Sequence, residues 1–355
     1  METLSAWLEL IPPSIRQTVY FLIFNSTWTY VVGEITQNVS QVDRVWTFLP
    51  TLYTAYYAFA PYFSWAPEEL QKLGPSSRAQ LLFAVQFMWM CRLSYNTYRR
   101  GLFALSDEDY RWKPLREAMP GILFKLFSLF FIAIAQNIIL FIFGLPAYSS
   151  LTETSNIPLG FSDFALAGIS LTLVALEFVS DNQQYAYQTW KRTSATKVDS
   201  SYAWPGARLA FTEADRSRGF ITRGLWGWSR HPNFACEQSF WITQTFFPIL
   251  ASPSAFHSHI LRSSLKPPYS AFSFFISLPV LPAITVCLLF YSSTLFSEHL
   301  SSQKYPAYKA YQKRVGMFFP AETILRGLWL SITGQKKEVD RLTYGDSLVS
   351  TKKTQ

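Results

Sequence analysis

In the stretch GLWGWSRHPNFACEQSFWITQTFFPIL, residues 224–250, an arginine, a histidine, a proline and an asparagine stand directly before a run apolar enough for a membrane. Proline suits the first helical position because its missing N–H would have no helical partner anyway, and it biases His231 away from helical backbone. A helix is therefore expected to begin sharply at Pro232. Its N-terminus offers free N–H groups and partial positive charge, which together suit a phosphate, and Arg230, with Arg223 and Arg218 upstream, could add charge-assisted bonds. The same residues also fit a plain helix start flanked by arginines that reach up to lipid headgroups. Spacing alone leaves both open.

A second group lies in LEFVSDNQQYAYQ, residues 176–188, where Glu177 and Asp181 are four apart and share a helical face. A carboxylate inside a bilayer costs roughly 2.5–3.5 kcal/mol on insertion scales, so it needs a partner or a function. Two answers stand: an ion pair with Arg92 or Arg230, or an Asp181 that accepts hydrogen bonds from a bound cofactor. In a third group, FMWMCRLSYNTYRRG, residues 87–101, Trp89, Arg92 and Tyr95 fall three apart and line one stripe, either a cleft wall or a helix end with a snorkelling arginine.

The elements that must position these groups are helices in lipid. Of the 355 residues 49% are hydrophobic and only 15% charged, against about 25% charged in ordinary soluble domains. Seven segments are long enough to span a bilayer: roughly 17–35, 45–64, 79–95, 120–145, 160–180, 234–251 and 270–295. The fold expected is an all-α, polytopic transmembrane helix bundle. It would occupy residues 1–320, with a cofactor-binding half over about 160–320 and a polar cytoplasmic tail over 321–355.

The net charge of +8 does not call for nucleic acid. Segments 96–118, 182–233 and 299–355 hold 5, 8 and 10 Lys/Arg, whereas 146–159 holds none. With seven spans the three basic segments share one side, which the positive-inside rule makes cytoplasmic. The N-terminus would be lumenal and the C-terminus cytoplasmic. METLSAWLELIPPSIRQ lacks a basic n-region, so a cleaved signal peptide is not expected.

Cys91, Cys236 and Cys287 are scattered through proposed spans, which gives neither a disulfide framework nor a metal-ligand spacing; they read as packing residues. His257 and His259 read as the surface of a lumenal loop. Tyr305, Tyr308, Tyr311 and Val315 recur at helical spacing with lysines between them, which suggests a helix lying among the headgroups. From about 333 the tail is polar. It ends in Lys352-Lys353-Thr354-Gln355, similar to a dilysine retrieval signal that coat proteins read at the endoplasmic reticulum.

Taken in order, VDRVW (42–46), WMCRLSYNTYRRG (89–101), SDEDYRW (106–112), EFVSDNQ (177–183), GLWGWSRHPNFACEQ (224–238) and SEHLSSQKYPAYKAYQKRVGMFFP (297–320) resemble a membrane-protein family related to steroid 5-alpha-reductases. The resemblance implies a reductase of the endoplasmic reticulum membrane. It would bind NADPH between the bundle and its cytoplasmic loops and pass hydride to an activated carbon-carbon double bond of a lipid or sterol-like substrate. By the same resemblance Asp181 matches a cofactor-binding acid, Asn233 an asparagine at the nicotinamide end, and Arg218 lies near a basic cofactor contact. Glu298 and Tyr305 match the C-terminal block, and Arg223, Arg230 and His231 join the cofactor set.

Two departures bear on the chemistry. Trp89 stands where the steroid enzymes carry a tyrosine that polarises the substrate carbonyl, and an indole N–H donates a hydrogen bond without the acidity of a phenol. Glu177 stands where they carry asparagine. A different enzyme class also fits the RHP-aromatic stretch, since isoprenylcysteine carboxyl methyltransferases and related phospholipid methyltransferases bind S-adenosylmethionine at a similar one. A non-catalytic lipid-binding or scaffold protein is the third reading.

Overall fold

The computed structural model describes residues 11–193, 201, 203–255 and 278–345, and among these every regular element is helical. In chain order they are α1 (Pro13–Thr36), α2 (Gln41–Trp46), α3 (Leu49–Phe59), α4 (Glu68–Leu73), α5 (Ser77–Arg99), α6 (Trp112–Ala118) and α7 (Gly121–Thr152). There follow α8 (Phe161–Lys191), α9 (Glu213–Arg218), α10 (Pro232–Ile249), α11 (Leu281–Lys304), α12 (Tyr308–Arg314), α13 (Pro320–Ile332) and α14 (Lys336–Tyr344). His257, His259 and the terminal Lys352-Lys353 lie outside the described residues.

Among the described residues, three helices are long and apolar enough to cross a membrane: α7, α8 and α11. They expose Ile122, Phe130, Phe161, Phe164, Leu288 and Tyr291, large apolar groups whose exposure suits lipid rather than water. The other four segments read as spans also contain helices, α1, α3, α5 and α10, but sequence chemistry sets them apart. α3 has 11 residues, too few for about 30 Å of hydrocarbon. α5 carries Arg78, Arg92 and Arg99, and α1 and α10 bury polar side chains such as Asn25, Thr29, Glu237 and Gln244.

The chain divides into two compact units, one of residues 1–171 and 241–287, the other of residues 172–240 and 288–355. In the first, α3 packs on α5, and the last turns of α7 pack against both. The motifs VDRVW and SDEDYRW form one clasp there. Arg44 donates to the carbonyls of Ala104 and Asp107, the Trp112 indole donates to Asp43 at 2.9 Å, and Arg116 pairs with Glu108 at 2.6 Å. Trp89 is fully buried, edge-on to Trp241, which in turn stacks on Phe143 with ring centroids 4.1 Å apart. The cysteines were expected in the packing, but Cys91 is exposed, because α5 turns it to the face opposite Trp89 and Arg92.

A buried ion pair ties the starts of two helices. Arg78, in the first turn of α5, forks onto Asp163, in the first turn of α8, at 2.7 and 3.0 Å, and also donates to the carbonyls of Thr154 and Pro158. Asp163 further accepts the Gly160 N–H at 2.8 Å. The N-termini of α5 and α8 therefore lie together.

In the second unit the far end of α8 carries an aromatic cluster, in which Tyr187 and Trp190 pack with Phe211, Ile221 and Trp226. The helix expected among headgroups over 305–315 does otherwise. Tyr308, Tyr311 and Val315 turn inward around Phe220, because the loop after α9 supplies an aromatic partner for the tyrosine stripe. Beyond 333 the polar tail continues as α14, which Arg314 holds through Asp340 at 2.6 Å.

Breaking the Arg78–Asp163 pair leaves a desolvated charge whose cost is about 3–5 kcal/mol. Arg78→Ala and Asp163→Ala are each expected to lower the unfolding temperature of the detergent-solubilised protein sharply, whereas replacing both by a matched apolar pair costs less. Single variants as stable as the parent would contradict this role.

Candidate functional site

The second unit brings together most of the residues singled out around SRHPNF. Glu298, on α11, is their centre. Arg230 forks onto its carboxylate with Nε at 2.6 Å and Nη2 at 3.1 Å, His231 meets it through Nε2 at 2.9 Å, and Gln312 donates to it at 2.9 Å. The remaining Arg230 nitrogen, Nη1, donates to the carbonyls of Gln312 and Val315. Backbone bonds reinforce the join: Arg230 N–H to Gly316 O at 2.9 Å and His231 N–H to Met317 O at 3.1 Å. The RHP turn and the C-terminal block are thus one structure. Arg230 spends its guanidinium there, with only 4% of the side chain exposed.

Burial pushes the His231 imidazole below its ordinary range and outweighs the hydrogen bond and charge of Glu298, and the Arg230 charge adds to the lowering. A neutral His231 then donates its Nε2–H to Glu298, which fixes the tautomer. The ring also stacks on Phe234, one turn into α10.

Asn233, the second residue of α10, reaches the end of α8. Its Nδ2 donates to Asp181 Oδ1 at 3.3 Å, while its Oδ1 is buried with no hydrogen-bond donor reaching it. An unmet buried acceptor costs on the order of 1–3 kcal/mol, so an N–H donor brought to this spot would be favoured. Glu177 lies one turn back from Asp181, on the same face and also buried.

A second arginine pair surrounds Asp215, a residue with no place among the sequence candidates. Asp215 caps α9 in a T-x-x-D box with Thr212, and holds Arg218 at 2.7 Å and Arg223 at 2.8 Å. Burial raises its carboxyl, but the Thr212 amide and the two guanidinium groups outweigh that and hold it below the usual range. Arg218 is buried and also bonds Thr222, whereas 41% of the Arg223 side chain is exposed. Arg223 is therefore the arginine of the three with solvent access.

The end of α8 anchors this loop. Gln183 accepts the Leu225 N–H, Trp226 donates its indole N–H to Ser180 O, and Tyr187 donates to Asp215 O. Tyr305 lies against Gly219, whose φ of +87° and missing Cβ let the ring approach; a Cβ would stand 2.2 Å from it. Lys191 donates to Gly219 O at 2.7 Å and sits over the Tyr305 ring.

Trp89, Arg92 and Tyr95 belong to the first unit. Trp89 and Arg92 are buried, while Tyr95 is 43% exposed and stacks with Arg99, so the stripe of three divides between two faces of α5. Among the described residues no group of three His, Cys, Asp or Glu could hold a metal ion.

The model of a family described as "Protein of unknown function (DUF1295)" matches residues 29–315, from within α1 to just past the end of α12. The chain belongs to the DUF1295 family. A protein of Schizosaccharomyces pombe described as uncharacterised is 31% identical over 303 residues, covering 84% of this chain and 77% of its own length. No solved structure matches. In this DUF1295 chain the matched region contains the whole Arg230–His231–Asn233–Glu298 arrangement together with Asp181 and Asp215.

Glu298→Ala would strip Arg230, His231 and Gln312 of their common acceptor and leave a buried guanidinium uncompensated, at a cost of about 3–5 kcal/mol. Chemical unfolding in detergent micelles should show that loss, with Glu298→Gln intermediate. A variant unfolding at the parent's midpoint would remove Glu298 from its place at the centre.

Proposed function

We propose that this protein is an integral membrane oxidoreductase that uses NADPH to reduce a carbon-carbon double bond in a lipid or sterol-like substrate. The observation that carries the reading is the meeting of Asp181 and Asn233 at 3.3 Å, with the Asn233 carbonyl oxygen buried and awaiting a donor. An asparagine held in this way has the hydrogen-bonding capacity to receive a carboxamide N–H such as nicotinamide carries. Asp181, at the last buried acid of α8, is an acceptor suited to a hydroxyl or amide of the same ligand, and Arg223 is the half-exposed cation suited to a phosphate. NADPH, when bound, supplies the hydride.

What the chain's own residues contribute is position. Glu298, through Arg230 and His231, fixes where α10 begins, and therefore where Asn233 stands. Asp215 plays the same part for Arg223. The resemblance to steroid 5-alpha-reductases and a cytoplasmic placement of the 182–233 loop belong to this reading, as does residence in the endoplasmic reticulum. The apolar helices α7, α8 and α11 supply the lipid setting in which such a substrate dissolves.

Ligand binding to the native state raises stability by RT ln(1 + [L]/Kd), about 2.7 kcal/mol at a hundredfold excess over Kd. Purified full-length protein in detergent is expected to gain several degrees in unfolding temperature with NADPH and none with S-adenosylmethionine, and Asn233→Ala should abolish the gain without lowering the unliganded midpoint. Stabilisation by S-adenosylmethionine alone would make the protein a methyltransferase. No shift with either ligand would favour a lipid-binding scaffold.

A further inference from the structure

Helix α13 is built inside out. Its protein-facing side consists of Thr323, Gly327 and Leu330, whereas Ile324, Leu325, Leu328, Trp329 and Ile332 face outward, each more than half exposed. The small inner residues have specific work. Thr323 donates to Trp228 O at 2.6 Å and accepts the Gly316 N–H at 2.8 Å, and Gly327 lies under the Arg314 guanidinium, which a Cβ would approach to 3.2 Å. The apolar bulk of the helix is spent outside.

We propose that α13 is an in-plane membrane anchor whose outer face beds into one leaflet of an anionic phospholipid bilayer. At about 1.5 Å per residue its 13 residues reach roughly 20 Å, short of the 30 Å or so needed to span, so it lies along the surface. The outer arc holds no charged side chain. Charge begins at its edge, where Glu322 and Arg326 pair at 2.6 Å and, with Lys313, border an open groove of about 390 Å³ whose apolar lining is Leu325, Trp329 and Leu330.

Charge complementarity names the occupant. Residues 304–345 hold eight lysines and arginines against three acids, and Lys313, Lys336 and Lys337 are exposed around the helix. Such a basic rim around an apolar, Trp-bearing face matches the acyl boundary and anionic headgroups of a leaflet. The end of α11, a helix long and apolar enough to span, belongs to the same unit and falls at Lys304, sixteen residues before α13 begins, so a leaflet surface is within reach. The proposal stands whatever reaction the site performs.

The test uses the full chain, with Cys91, Cys236 and Cys287 replaced by serine, in nanodiscs of mixed neutral and anionic phospholipid. Nitroxide labels at Leu325→Cys, Leu328→Cys and Ile332→Cys are expected to collide several-fold more with lipid-soluble oxygen than with a water-soluble nickel chelate, and a label at Lys337→Cys is expected to do the reverse. Outer-face labels that prefer the nickel chelate would overturn the proposal. So would labels shielded from both agents, which would mean that a second copy or another protein covers the face. Should the cysteine-free chain fail to fold, the native-cysteine protein serves in brominated phospholipid: Trp329→Phe should remove part of the quenchable tryptophan emission, and an unchanged quenchable share would sink the idea equally.

Discussion

Glu298 is held by a guanidinium, a neutral imidazole and an amide from two stretches of sequence, and the local structure follows from satisfying it. A carboxylate 3% exposed is tolerable only if it is paired and hydrogen-bonded. Arg230 supplies the charge, and His231 and Gln312 complete the shell. In return Arg230 carries the RHP turn with it, so Pro232 starts α10 at a fixed place and Asn233 arrives beside Asp181. Asp215 repeats the arrangement on a smaller scale, organising Arg218 and Arg223 before Gly219 lets Tyr305 close over the loop.

Local chemistry was legible in the sequence where cause and effect are close along the chain. The sharp helix start at Pro232, the shared face of Glu177 and Asp181, and the helical spacing of Tyr308 and Tyr311 follow from periodicity and proline geometry, whereas Tyr305, expected on the same helix, lies in the turn between α11 and α12. Partners were not legible, because Arg230 finds Glu298 sixty-eight residues away and Arg78 finds Asp163 eighty-five away. Hence an arginine that could grip a phosphate proves to be committed to a carboxylate, and Asp215 went unnoticed although its T-x-x-D capping box can be read directly.

Periodicity also cannot say which medium an apolar stripe meets. The tyrosine stripe of α12, which suits a headgroup layer, is buried against Phe220. The stripe of α13, which would pass for a core-facing pattern, faces outward. The two exchange roles because an aromatic partner reaches α12 from the α9 loop, while α13 needs its small residues to accommodate Arg314 and the Trp228 carbonyl. Helices α7, α8 and α11 show the same outward apolar bias along lengths that can cross a bilayer.

On the function proposed, the Glu298-centred join presents Asp181 and Asn233 to a reduced dinucleotide. Energy transfer from protein tryptophans to NADPH, followed as the cofactor is titrated into the purified full-length protein, tests it most directly, since Trp226 and Trp228 lie in the same loop as Arg230. Saturable transfer that Asn233→Ala weakens at least tenfold is the predicted result. Transfer that never saturates, or that is indifferent to Asn233, would contradict it.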